Sequence, residues 1–396
     1  MHFYVQQVDI DQTSRRHEVI LDVEKMDDHT ELANTLRGQA QLNRFAKKRD
    51  ASMLRFSYDP SGYQGLKEGS WYDIDPRAFE GTQYQTVGLN AEGSSFLRAN
   101  LVGQPRESSF ARFLGTPRIA DISTSNLELV LNANPKGQVR LTVVNCGHGN
   151  WNEIDTASER VIYDVGASRW FNKAQVRAVV ARRNIASETR QISVVISHWD
   201  VDHFHALLEF TSAELAKLRV VFVPSQTPNT ETYRRVSRRL AGQGVTVVSQ
   251  PPASRIGTSR VITLEPCWHQ GIFTMFRATP GRSRNQTGIV LGVQGPSKIA
   301  LLTGDHHYEK VLAAACNMPT YRNRACALVT PHHGGLAGAP SAKAWQLFFS
   351  SLTTPISCGA NSYGHPVSTV LTELTAMQIG AAPWRTEVNG TWTTIL

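Results

Sequence analysis

The stretch from Val194 to Phe204 limits what this chain can fold into more than any other. It opens with three apolar β-branched residues, which predict a buried strand. Four side chains with high affinity for metals follow at once: His198, Asp200, Asp202 and His203. The end of a core strand fixes the position of such side chains, and imidazoles combined with carboxylates suit zinc, manganese or iron. The stretch therefore predicts a metal site at the end of a buried strand.

Helix capping is the alternative explanation for the two carboxylates. Asp200 or Asp202 could cap the helix that the sequence suggests at residues 205–210. A cap requires only one carboxylate, however, and it leaves His198 and His203 unexplained. We therefore favour the metal site.

The composition of the chain excludes several classes of protein. Its 396 residues, 41% of them hydrophobic, have room for one large core with an appendage or for two domains. The five cysteines are scattered and form no Cys-x-x-Cys pair, which argues against a disulfide framework and a cysteine zinc finger. No run of about 18 apolar residues occurs. We expect a cytoplasmic protein that does not enter a membrane.

The sequence divides into two parts. Residues 1–138 contain a predicted strand at 19–23, a predicted helix at 28–48 and no catalytic motif. The segment 132–137 is the predicted linker. From residue 139 onwards, short apolar strands alternate with helices. We predict a small N-terminal α+β region of unknown role at 1–138 and a catalytic domain at 139–396.

Several predicted strands of the second part end in residues that can bind metal or transfer protons. Beyond the first cluster these are Asp305, the pair His332 and His333, and His365. Any one of them alone is a weak signal, but functional residues often occupy the loops of a rigid scaffold, and four strand ends predict one shared site. Two β-rich halves interleaved with helices predict an α/β protein with a four-layer αβ/βα sandwich.

These motifs resemble those of the metallo-β-lactamase superfamily, and within it the ComEC-type branch, named for the hydrolase domain of competence DNA-uptake proteins. The signature Ser-His-x-Asp-x-Asp-His is matched at 197–203. Further motifs match, in order, at 145–150, 164–166, 301–305, 331–334 and 361–366. The resemblance covers residues 139–396. It implies a metallo-β-lactamase-like fold.

The resemblance also implies two divalent metal ions, zinc or manganese, in two subsites that share Asp305. The tighter subsite would be formed by Asp202, His203, Asp305 and His332, and the weaker one by His198, Asp200 and Asp305. Such a pair of ions would activate a water molecule for attack on the substrate. Asp202 would also orient this nucleophile, and His365 would stabilise charge on the transferred group or protonate the leaving oxygen. The family pattern favours His332 over His333 as the ligand.

Four positions depart from the family pattern. Asn145 and Asn150 stand where the branch has aspartates, and His148 stands where it has glutamine. In the family, that motif supports the metal site and does not bind metal. We therefore expect these changes to alter the properties of the site and not to abolish it. Arg282 stands where many relatives supply a third histidine to the first metal. We therefore expect weak binding in the first subsite and, because carboxylates prefer harder ions, a better fit to manganese than to zinc.

The substrate is predicted less directly. A formal net charge of +8 and the basic helix at 230–240 favour a phosphodiesterase or nuclease that acts on DNA or RNA, because arginines neutralise phosphates. A basic helix face can equally be no more than solvated. Two alternatives remain: a small-molecule hydrolase that cleaves a phosphodiester, lactone or thioester, and a non-catalytic scaffold that retains the site. A protein partner could bind through residues 1–138, and the oligomeric state is open.

Overall fold

A computed structural model describes the chain at residues 1–10, 17–24, 53–58, 66–75, 85–87, 106–107, 137–228, 230–254, 261–281, 284–361 and 364–396. The predicted helix at 28–48, Arg282 and all but the last residue of the predicted linker lie outside these ranges. Two compact units are present. The first consists of Met1–Pro117, Arg169–Ala178 and Thr227–Arg239, and the second consists of Arg118–Ser168, Val179–Gln226 and Leu240–Leu396.

The elements of the described residues are as follows. The strands are β1 (His2–Ile10), β2 (His17–Val23), β3 (Met53–Tyr58), β4 (Trp71–Asp73), β5 (Gln85–Val87), β6 (Arg106–Glu107), β7 (Arg140–Val143), β8 (Asn152–Asp155), β9 (Glu159–Tyr163), β10 (Gln191–Val195), β11 (Leu218–Pro224), β12 (Thr246–Gln250), β13 (Leu264–Gln270), β14 (Phe273–Ala278), β15 (Ile289–Gln294), β16 (Lys298–Leu302), β17 (Ala325–Val329), β18 (Ser351–Thr353) and β19 (Trp392–Ile395). The α-helices are α1 (Lys173–Ala181), α2 (Val201–Phe204), α3 (Ser212–Leu215), α4 (Glu231–Gly242), α5 (Tyr308–Cys316), α6 (Ala342–Phe348), α7 (Ser368–Met377) and α8 (Thr386–Asn389).

The first unit contains a six-stranded sheet in the order β5-β3-β2-β1-β4-β6, with antiparallel neighbours. The strand predicted at 19–23 lies within β2 and is confirmed. Most of α4, the predicted basic helix, belongs to this unit. Its first turn is tied to β2, because Thr230 and Thr232 donate hydrogen bonds to the buried carboxyl of Asp22.

The second unit contains two sheets. One has the order β12-β11-β10-β9-β8-β7-β19, and the other has the order β13-β14-β15-β16-β17-β18. Strands β9 to β12 are parallel neighbours, so each connection between them must cross over the sheet. The connections pass through α1, through α2 and α3, and through α4. In the second sheet, β16, β17 and β18 are parallel, while β13 to β16 are antiparallel.

The main core of this unit lies between the two sheets. Val195 and Phe222 of the first sheet pack there with Phe273, Leu291 and Leu302 of the second. The outer face of the second sheet forms another core with α5, α6 and α7. Strand β10 buries every residue after its first one, as expected when both faces of a parallel sheet are covered. The predicted α/β class and αβ/βα sandwich are confirmed. Among the described helices, none combines the length and apolar character needed to span a bilayer.

Candidate metal centre

The predicted ligand cluster follows β10 directly and continues into the short helix α2. Asp200 occupies the N-cap position of this helix, but its side chain makes no capping hydrogen bond. The carboxylate instead lies 3.2 Å from Nε2 of His198 and 2.8 Å from a guanidinium nitrogen of Arg284. Capping therefore does not account for the carboxylate of Asp200.

Six buried side chains converge at the strand ends in two groups that could each hold a metal ion. One group consists of His198, His203 and Asp305, and the other of His148, Asp202 and His333. Within each group all ligand atoms lie within 4.8 Å of one another. Nε2 of His203 is 3.3 Å from Oδ1 of Asp305, and Nε2 of His333 is 3.2 Å from Oδ2 of Asp202. The structure thus brings together residues that are distant along the chain.

Two of the imidazoles are oriented by hydrogen bonds that their other ring nitrogen makes on the side away from the ligand groups. Nδ1 of His203 donates to Oδ2 of Asp164 at 2.8 Å, and Nδ1 of His333 donates to the carbonyl oxygen of Ser357 at 2.7 Å. The tautomers are assigned from these acceptors. Because Nδ1 donates in both rings, Nε2 is the nitrogen that faces the carboxylates, and it is the atom that a metal ion would bind in place of a proton.

The donor atoms fit a divalent metal. Within the described part of the chain, the buried Nε2 atoms of His198, His203 and His333 make no hydrogen bond, although each lies close to a carboxylate oxygen. Buried polar atoms normally have a hydrogen-bond partner, so exceptions need an explanation. Two imidazoles and one carboxylate are a ligand set that zinc enzymes use. The residues present therefore match a metal centre.

Close backbone packing places Asp202 and Asp164. The backbone nitrogen of Asn150 donates to the carbonyl oxygen of Asp202 at 3.0 Å, and that of Gly166 donates to the carbonyl oxygen of Asn150 at 2.9 Å. A Cβ at position 166 would lie 1.7 Å from the carbonyl oxygen of Asp202, so only glycine fits there. Asp164 adopts a left-handed backbone with φ of 61°, which aspartate tolerates better than most residues.

The structure explains one departure from the family pattern. Nδ2 of Asn150 donates to Oδ2 of Asp164 at 2.8 Å, and Oδ1 of Asn150 accepts from Nδ2 of Asn152 at 2.7 Å. An aspartate at position 150 could not donate to Asp164 when ionised, and two buried carboxylates would then repel each other. The amide of Asn150 thus supports the residue that orients His203.

Three residues favoured by the sequence lie beside the two groups and not within them: Asp200, His332 and His365. Nε2 of His332 is 3.7 Å from Oδ2 of Asp305, and its side chain is 27% exposed. The His365 ring centre lies 5.0 Å from that of His332. His333 therefore lies in a group that could hold a metal ion, and His332 lies next to that group.

At Asp202 and His203, the charges of neighbouring side chains shift the pKa more than burial does. Burial alone would raise the pKa of Asp202, but His203 and His333 hold it well below its usual range. Burial would lower the pKa of His203, but the carboxylates, led by Asp305, raise it well above its usual range. Burial and the neighbouring imidazoles lower the pKa of His365 to about 3, so this ring is neutral near neutral pH. Because ligand histidines must be neutral, protons compete with metal at His203.

Sequence reasoning missed two residues of the site. His148 was interpreted as a supporting residue, although a histidine in place of glutamine at a strand end was a visible signal. Arg284 gave no signal, because its pairing with Asp200 joins positions far apart in sequence. Burial opposes ionisation of Asp200, but Arg284 is the largest of the influences that lower its pKa.

Comparisons with known proteins give structural likenesses only. No family model matches the chain, and no curated protein matches it. The metallo-β-lactamase fold protein YhfI from Bacillus subtilis is similar at 12% identity and a TM-score of 0.38, over 65% of this chain and 100% of that one. Zn²⁺-bound PqqB from Methylobacterium extorquens is similar at 9% identity and a TM-score of 0.34, again over 65% and 100%. Likenesses this low support no statement about activity, substrate or metal.

Proposed function

We propose that this chain is a metal-dependent phosphodiesterase that binds two divalent ions, with nucleic acid as the favoured substrate. The observation that carries the proposal is the pair of buried His/His/Asp groups at the strand ends of the sandwich. When bound, such ions polarise phosphoryl oxygens and lower the pKa of a water molecule. The resemblance of the sequence motifs to those of the ComEC-type branch is a further ground for this proposal.

Each residue of the site has a proposed task. The two groups hold the ions, and Asp164 and the Ser357 carbonyl keep the rings of His203 and His333 in place. Asp202 also orients the attacking water. His365 stabilises charge on the transferred group through a hydrogen bond, since its ring is within 6 Å of those of His148 and His332.

We also propose that Asp200 and His332 are additional metal ligands. Oδ2 of Asp200 lies 3.2 Å from Nε2 of His198, and Nε2 of His332 lies 3.7 Å from Oδ2 of Asp305. Both could complete the coordination of a neighbouring ion by a small side-chain rotation. A protein partner bound through residues 1–138 also stays a proposal.

The net charge supports a polyanionic substrate, but α4 supports it less than the sequence suggested. Arg234 donates a hydrogen bond to the carbonyl oxygen of Glu24, and Arg238, the exposed arginine of this helix, pairs with Glu231. These arginines are engaged within the first unit. That observation favours the second candidate, a small-molecule hydrolase for a phosphodiester, lactone or thioester.

One set of assays separates the candidates. The purified protein, stripped with chelator and reloaded with zinc, manganese or magnesium, would be given single- and double-stranded DNA, RNA, a small phosphodiester, a lactone and a thioester. We expect metal-dependent cleavage of nucleic acid and of the small phosphodiester. Asp305→Asn should abolish it, whereas the matched control Glu309→Gln, an exposed carboxylate nearby, should not.

The other outcomes are equally clear. Cleavage of the lactone or thioester alone would replace the phosphodiesterase by a small-molecule hydrolase. Cleavage of the small phosphodiester without any nucleic acid would retain the chemistry and reject the substrate. Metal binding without turnover of any substrate would favour the scaffold.

A further inference from the structure

The loop between β7 and β8 sends a buried histidine into the metal centre. His148 is 2% exposed, and its ring centre lies 4.6 Å from that of His333. Its ligand atom, an oxygen of Asp202 and a nitrogen of His333 all lie within 4.8 Å of one another. A purely supporting residue would not need to aim an imidazole at the carboxylate that a second imidazole already faces.

The backbone on both sides of His148 is held firmly in place. The carbonyl oxygen of Gly149 accepts a hydrogen bond from Oγ of Ser357 at 2.7 Å. Gly359 packs so closely that a Cβ there would lie 2.5 Å from the backbone nitrogen of His148. A ligand on a fixed backbone loses little conformational freedom when it binds, and preorganised sites bind more tightly.

We propose that His148 is a metal ligand and that it binds one ion together with Asp202 and His333. This inference rests on the metal dependence proposed above. It gives each ion its own set of two imidazoles and one carboxylate, in place of two subsites that share Asp305. Imidazole-rich sets suit zinc, whereas the carboxylate-rich subsites expected from the sequence would favour manganese.

Metal counting on matched variants tests the inference. His148→Gln removes the imidazole but keeps a polar side chain, and His205→Gln removes another buried histidine, which bonds the carbonyl oxygen of Val201 and belongs to neither group. Zinc bound after dialysis would be counted by mass spectrometry, and affinities measured by chelator competition. We expect two ions in the wild type and in His205→Gln. His148→Gln should retain only one ion, a larger effect than the about 10- to 100-fold weakening that the loss of an outer-shell residue produces.

A second variant gives a direct contact signal. His148→Cys puts a thiolate on the same backbone position, and a cobalt-loaded protein then shows thiolate-to-cobalt charge-transfer absorption only if the sulfur of residue 148 binds the ion. We expect this band in His148→Cys and not in the wild type. This test also works if His148→Gln fails to fold.

The possible failures are distinguishable. Two ions of unchanged affinity in His148→Gln would overturn the role of His148 and leave the phosphodiesterase proposal standing. A wild-type protein that binds no metal would overturn the proposed function itself. Full metal content without phosphodiester cleavage would reject the reaction but leave the ligand assignment intact.

Discussion

Each of the two units buries an aspartate, and the pKa values of the two carboxyl groups are shifted in opposite directions. Asp22 in the first unit is fully buried among Gln6, Thr230 and Thr232, and burial raises its pKa to about 7 despite their hydrogen bonds. Asp202 in the second unit is 5% exposed, and its histidine neighbours keep its pKa far below normal. The neutral donors around Asp22 do not offset the desolvation of its carboxylate, whereas the imidazoles beside Asp202 do.

A third buried carboxylate shows that a favourable partner is not by itself a sign of a site. Glu153 is 1% exposed and binds the guanidinium groups of Arg160 and Arg183. Guanidinium has no lone pair to offer a metal, so this cluster is not a metal site. The carboxylates of the candidate metal centre differ in that they face imidazole nitrogens, which can exchange a proton for an ion.

The largest expected effect comes from removing the carboxylate of Asp202. Asp202→Ala should lose metal from the His148 group and reduce metal-dependent cleavage by on the order of 10⁴-fold or more, about 5 kcal/mol, because metal ions contribute several kcal/mol to such reactions. Metal content and the initial rate on a small phosphodiester check this. Unchanged metal content would mean that Asp202 is a structural carboxylate, like Glu153.

The carboxyl of Asp22 should control stability and not chemistry. Its pKa rises from 3.8 to about 7 on folding, so its stabilising contribution is complete below pH 3.8 and is lost as the pH rises through about 7. A pKa difference of this size corresponds to about 4 kcal/mol in the free energy of unfolding. Asp22→Asn, which is neutral at every pH, should flatten this dependence.

Hydrogen exchange of peptides from β1 and β2 between pH 4 and 8 measures that local stability. The exposed Glu309 of the second unit, replaced by Gln, is the control and should leave the profile unchanged. An identical pH profile in wild type and Asp22→Asn would show that Asp22 is ionised in the fold and that the contrast with Asp202 does not hold.

Sequence reasoning found candidate ligands where the information was local. His198, Asp202 and His203 lie within eight residues after the end of β10, and a strand end followed by possible ligands is a pattern that can be recognised without knowledge of the fold. Asp305 and the histidine pair could be added because they also follow apolar strands. The sandwich followed from the same apolar runs.

Long-range contacts could not be predicted in the same way. Strand β8 is formed by Asn152–Asp155, whose buried carboxylates pair with the distant Arg183 and Arg190, and apolar periodicity does not detect such a strand. The choice between His332 and His333 depends on two successive left-handed residues, which turn His333 towards Asp202. No pattern in the local sequence predicts these two backbone conformations.

The smallest effect expected here separates orientation from ligation. Asp164→Asn keeps the size of the side chain and suits the left-handed backbone, since asparagine also adopts it readily. Its amide would face the amide of Asn150, and it would hold the Nδ1 proton of His203 less strongly. We expect the ion of the His198 group to bind about 10- to 100-fold more weakly, or about 1.4–2.7 kcal/mol.

The ion of the His148 group should keep its affinity in the same variant, because His333 is oriented by Ser357 and not by Asp164. Chelator competition on Asp164→Asn measures both affinities, and Asn184→Asp, a charge change at another left-handed position, controls for backbone effects. Equal weakening of both ions would show that the two groups act as one cluster. If neither ion weakened, the hydrogen bond behind His203 would have no part in metal binding, and the charge of Asp164 would be structural like that of Glu153.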